Sequence, residues 1–250
     1  LTNLQVLWLR CSSITDSGTL NIAGTASFTA ANGQSIILDS FNTFAGTVSF
    51  SSSTGTLSNV TVNNSGALDL QALTLTGNLD VTAGGAVTDS GNLTVAGTTT
   101  ISAAGQSITL DSAANDFTGA VSVTGANVTL VDMSAIDLGS STVTGNLNVT
   151  AGGAVTQSDT LTVVGATDVN AAGFDVFLDY FTNDFTGAVS VTGNNVSLAD
   201  VNSIDLGAST VAGTFSVASN NTGSITQSGA LNITGAAGFV AFGNGDIILT

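Results

Sequence analysis

The stretch GAVSVTGANVTLVDMSAIDLGSSTVT, residues 119–144, returns at positions 187–212 as GAVSVTGNNVSLADVNSIDLGASTVA. Its apolar residues fall in pairs spaced by two: Val121 and Val123, Val128 and Leu130, Ile136 and Leu138. Spacing by two is the period of a strand with one buried face. Between the pairs lie Thr-Gly-Ala-Asn, Asp-Met-Ser-Ala and Gly-Ser-Ser, which are turn-forming sequences. The stretch therefore reads as three short strands joined by three corners.

The same grammar runs along the chain. ITDSGTLNIAG (14–24) returns as VTDSGNLTVAG (87–97), VTQSDTLTVVG (155–165) and ITQSGALNITG (225–235). Inside this long period is a shorter one, marked by glycines that open strand-like runs: 24, 46, 77, 97, 119, 145, 165, 187, 213 and 235. Most of these gaps are roughly 20–26 residues, a period typical of stacked repeats. One longer excursion lies between Gly46 and Gly77. A single unit of this kind is too short to close a core. It exposes a row of apolar side chains and two rows of backbone groups. Stacking the next copy on it, about 4.8 Å away, satisfies both. The expected fold is all-β, a parallel β-helix (β-solenoid) of about ten coils, three short strands per coil.

Composition agrees. Val, Ile and Thr are abundant, which suits strands, while Glu and Lys are absent and Arg10 is the only base. The net charge of −16, carried by 17 Asp, argues against nucleic acid, whose phosphates need Lys and Arg, and against anionic membrane surfaces. No apolar run is long enough to span a bilayer. The single cysteine, Cys11, cannot form an internal disulfide.

Residues 1–13 do not match the repeats and hold the only Trp, Arg and Cys. They read as a non-repeat cap or junction, with Trp8 and Cys11 as its distinctive side chains, ahead of a single solenoid domain over 14–250. The first residue is Leu rather than Met, and the final GNGDIILT matches the second strand of a coil. The expectation is a piece of a longer rod. Phe117 and Phe185, in the repeated NDFTG, are expected to fill a wide corner of the section. Thr99 and Thr167 fall in inward phase, and their hydroxyls are expected to bond backbone near a corner. Thr-x-Thr pairs such as Thr98 and Thr100 resemble ice-binding arrays, but the equivalent outward sites hold Ser122, Asn148, Asp168 and Ser190.

Aspartates are the only candidate acid–base or metal-ligating groups. Asp111, Asp132 and Asp159 follow Gly97, Gly119 and Gly145 at nearly the same offset, with Asp39, Asp179 and Asp200 as counterparts. Stacked at one corner, Asp111, Asp132, Asp159 and Asp200 would offer oxygen ligands to Ca²⁺; the same residues also cap turns. The longer coils opened by Gly119 and Gly187 are expected to bulge, putting Asp132, Asp137, Asp200 and Asp205 on the side face. No Asp-rich calcium loop and no Walker phosphate loop occurs. No Lys or His stands ready to partner an Asp in polysaccharide hydrolysis, so no catalytic residue is assigned.

GNLDVTAGGAVTDSGNLTVAG (77–97) and GNLNVTAGGAVTQSDTLTVVG (145–165) resemble the β-strand repeats of filamentous haemagglutinin-like bacterial exoproteins and related surface adhesins. The resemblance covers roughly 14–250. It implies a right-handed parallel β-helix, export to the outer surface, and work in adhesion or biofilm. The expected function is a structural rod segment of a secreted or cell-surface adhesin or filament, stacked end to end on neighbouring coils or subunits, without catalysis or cofactor. Its expected location is extracellular or at the bacterial outer-membrane surface. The alternatives are a solenoid module that binds carbohydrate, Ca²⁺ or a host receptor, and a self-assembling filament subunit.

Overall fold

A short strand is held only by its neighbours, so the pairing partners of each strand define the architecture. The computed structural model describes residues 4–250; within them there is no helix, and the strands pair in parallel. The chain is an all-β parallel β-solenoid of about twelve turns. It divides into two compact units, Leu1–Ala126 and Asn127–Thr250.

In the first unit one ladder steps through Ile14, Ile36, Val60, Leu79, Thr99 and Val121, each rung one turn beyond the last. A second ladder runs through the strands Leu4–Arg10, Asn21–Ala30, Val48–Ser52, Leu68–Leu70, Val87–Asp89 and Ile108–Leu110. A third joins Leu73–Leu75, Leu93–Val95 and Asp116–Phe117. The segment read as a cap or junction thus supplies a strand to the first coil; residues 1–3 of it lie outside the described residues.

In the second unit one face runs Val128, Leu147, Thr167, Val189. The next runs Ile136, Val155, Val176, Val196, Phe215, Ala237. The third joins Ser141–Val143, Leu161–Val163 and Asp184–Phe185. In both units, up to the strand Ile225–Gln227, the inward residues pile into aliphatic ladders with almost no exposure, as alternation by two requires. Each buried aliphatic contributes about 1.5–3 kcal/mol. Phe117 and Phe185 are fully buried, as their place in NDFTG predicts.

Two expectations fail, each for a geometric reason. The coil opened by Gly187 does not bulge. Val189 pairs with Leu206 and Thr192 with Thr210, so this turn closes in less sequence than any of the glycine gaps. The spacing from Gly187 to Gly213 covers one turn and part of the next. Glycine counting therefore finds ten coils where there are about twelve. The second failure concerns Thr99 and Thr167, which are fully buried but whose hydroxyls find no partner among the described residues. They sit inside ladders whose backbone groups already bond the coils on either side.

The long repeat has an unexpected phase. From Val128, three register steps lead to Val189 on the same face. Val196, which is the counterpart of Val128 in the next copy, opens the adjoining face. One repeat is therefore three turns plus one face, and equivalent residues of successive repeats do not stack. At several coil openings what does stack is glycine on glycine. A Cβ at Gly119 would collide with the Gly97 carbonyl oxygen, and one at Gly187 with that of Gly165. Such a contact leaves room only for glycine.

Candidate functional site

Polar side chains that enter the interior of a solenoid must find partners there, because water is excluded. They do so at two kinds of corner. The first is built on the Asn of the N-x-Phe motif. Asn42, Asn115 and Asn183 are fully buried. Each Oδ1 accepts a backbone N–H from the preceding coil, from Leu20, Leu93 and Leu161, at 2.7–3.0 Å. In the first unit each Nδ2 donates to a carboxylate at 2.7 Å, Asp16 for Asn42 and Asp89 for Asn115. In the second unit the same place holds Gln157, which exchanges two amide hydrogen bonds of 2.8 Å with Asn183. Nothing in the local sequence singles out these asparagines, since Asn in a turn is ordinary; their signal is recurrence before the Phe of each copy.

The second corner follows the strand that opens each long repeat. Asn64 is buried; its Oδ1 accepts the Phe44 N–H at 2.8 Å and its Nδ2 donates to the Ala67 carbonyl at 2.8 Å. Two copies further on, the equivalent of Asn64 is Asp200, fully buried, whose two oxygens accept the N–H groups of Phe185 and Asn202, both at 2.7 Å. Burial raises its pKa to about 6, against the pull of those two N–H donors, and the neighbouring Asp184 adds to the rise. Ionised, it is a hydrogen-bonded carboxylate; protonated, it becomes a neutral acid within a stack of strands.

The candidate aspartates scatter. Asp132 is buried, accepts from the Ser134 N–H and hydroxyl at 2.7 and 3.0 Å, and lies in register with Ala151 rather than with another acid. Asp159 accepts the Thr160 N–H, and the register puts the segment around Tyr180 between Asp159 and Asp200. Asp111 belongs to the first unit and gives its N–H to Asp89. Within the second unit the expected stack of Asp132, Asp159 and Asp200 is not formed, because successive copies of the long repeat fall on different faces. Among the described residues no three acidic or thiol side chains gather to hold a metal ion.

Nor do the four side-face candidates act alike. Asp132 and Asp200 are buried, which removes them from the surface. Asp137 and Asp205 are half-buried and reach the next coil, accepting from Thr156 at 3.3 Å and from Thr226 at 3.0 Å. Near the start of the chain, Cys11 is exposed. Trp8 is also exposed and borders a shallow hollow of about 410 Å³ lined by Arg10, Ser27 and Ser52.

No curated protein and no solved structure matches the sequence. A family described as repeats of unknown function (DUF5649) matches residues 3–51, 57–124, 125–192 and 193–250. The two central matches are equal in length and adjoin, and that length equals the step from Gly119 to Gly187. With nearly the whole length matched in four copies, the chain belongs to this family of repeats of unknown function.

Proposed function

We propose that this repeat β-solenoid is a structural segment of a bacterial extracellular adhesin or filament, a stiff spacer that carries other elements away from a surface and performs no catalysis. One observation carries the reading: many of the carboxylates and amides close corners or tie coils together. Asp16, Asp89, Asp137 and Asp205 each bond a neighbouring coil, and Asn42, Asn115 and Asn183 are sealed inside. Carboxylates and amides used in this way serve the shape of the chain. The acidic surface suits a solvated, non-aggregating exterior. The resemblance to haemagglutinin-like repeats supports a position outside the cell, joined end to end to further coils.

Antibodies raised against the chain test this on intact, unpermeabilised source cells, with electron microscopy of the labelled material. Labelled projections beyond the envelope are expected. Label that appears only after permeabilisation overturns the proposal.

A further inference from the structure

The two units share a backbone plan but differ on one outer strip. In the first unit, GQSITLDSAAN (105–115) turns a corner and forms the strand Ile108–Leu110; in the second, GFDVFLDYFTN (173–183) does the same with the strand Val176–Leu178. The inward residues correspond: Ile108 with Val176, Leu110 with Leu178, Asn115 with Asn183, all fully buried. The outward ones do not. Gln106, Thr109, Ser112 and Ala113 are replaced by Phe174, Phe177, Tyr180 and Phe181. These four aromatics remain 39–47 % exposed. Because the first unit makes the same coil without them, the fold does not require them. Leaving four rings in water forgoes the gain from burying them, and a cluster of this kind marks an interaction site.

The surroundings narrow the partner. The Phe181 ring meets that of Phe242, from a later coil of the same unit, edge to face at 5.7 Å, which extends the apolar surface across the stack. Asp175 and Asp179 alternate with the aromatics along the strip. Asn194 and Asn195 donate to the Asp175 carboxylate at 3.0 Å, and the Asn195 N–H leads in holding its pKa below the ordinary value. The only base in the chain is Arg10, in the other unit, so the carboxylates of the strip carry charge that the second unit does not neutralise. Aromatic faces attract cations through their quadrupole, most effectively the flat guanidinium, which also pairs with carboxylate. A second copy would bring another −16 to the contact, and a neutral sugar would leave the carboxylates unanswered.

We propose that Phe174, Phe177, Tyr180 and Phe181, with Asp175 and Asp179 among them, form a docking surface for an arginine-bearing, cationic segment of another protein. This inference stands apart from the spacer reading, since it concerns one strip of the second unit wherever the chain resides.

The test titrates the intact 250-residue chain with a synthetic arginine–glycine repeat peptide. It compares that chain with the variant Phe174→Gln, Phe177→Thr, Tyr180→Ser, Phe181→Ala, which installs the side chains the first unit already carries. Binding at least tenfold weaker in the variant, and weaker for a lysine–glycine peptide than for the arginine one, is the expected result. Equal affinity for both chains would reduce the attraction to bulk charge and overturn the proposal. So would saturable binding of a neutral oligosaccharide in place of the peptide, or self-association lost in the variant. If the fourfold variant melts early, Phe177→Thr alone replaces it, with a threefold loss as the expected reading and no loss as the contrary one.

Discussion

The corner at Asn64 and the corner at Asp200 perform one task with different chemistry. Each holds the N–H of a buried Phe, Phe44 in the first unit and Phe185 in the second. The amide of Asn64 both accepts and donates, so its corner is satisfied at any pH. The carboxyl of Asp200 offers both oxygens as full acceptors only while ionised, and burial opposes ionisation. The comparison teaches that a solenoid corner needs a short acceptor reaching a backbone N–H; whether that acceptor can titrate is a separate choice, with consequences for stability.

The largest expected effect falls on the buried phenylalanine rings of the repeated NDFTG. Phe185→Ala, and Phe117→Ala in the first unit, should each cost about 3–5 kcal/mol through the cavity left behind. Chemical denaturation read by circular dichroism checks this, and no measurable loss would mean that the rings do not fill the corner. A smaller effect comes from exchanging the corners. The folded pKa of Asp200 lies near 6, above its ordinary 3.8. The folded state therefore favours the protonated acid, and the penalty for burying the charge sets in as pH rises above 3.8 and is complete above about 6. Asp200→Asn should thus remove this pH dependence: relative to the parent, its stability should improve by on the order of 1–3 kcal/mol from pH 4 to pH 8, on top of a pH-independent loss, because one amide oxygen cannot accept both N–H groups. Asn64→Asp should import the same pH dependence into the first unit. Melting temperatures at the two pH values decide it; a pH-independent effect of Asp200→Asn would remove the carboxyl from the explanation.

The smallest effect is one in which the two units should agree. Thr99→Val and Thr167→Val keep the shape of each side chain and remove an unpartnered buried hydroxyl. Each should stabilise by about 1 kcal/mol. Amide hydrogen exchange along the affected ladders measures it, and destabilisation of either would reveal a hydroxyl bond.

Much of the fold is legible in the residues. The pairs Val121/Val123 and Val128/Leu130, read as inward by their spacing, are buried, and the glycines that open coils stand where a Cβ would strike the coil before. Phase is not legible in this way. Glycine spacing measures sequence between similar corners, whereas a turn is measured between hydrogen-bonded partners, and Val189 to Leu206 shows the two diverging. Burial of single polar residues was equally hidden. Asp200 ends a strand as Asp89 does, yet Asp89 keeps partial contact with solvent. Only the three-dimensional path that brings the Phe185 N–H to Asp200 marks it as interior.

The mismatch between the long repeat and the turn has a consequence for how such a chain grows and stays in place. Two scales of nearly commensurate pitch act as a vernier: they coincide at one setting and disagree at the next. A coil that slipped by one turn would meet a different side-chain set from its own. Identical segments are thereby kept from lying directly on one another, the arrangement that drives fibrous aggregation. Duplicating the repeat also carries any newly acquired surface group around the axis to a fresh side, so a feature such as the aromatic strip would multiply as a spiral rather than a stripe.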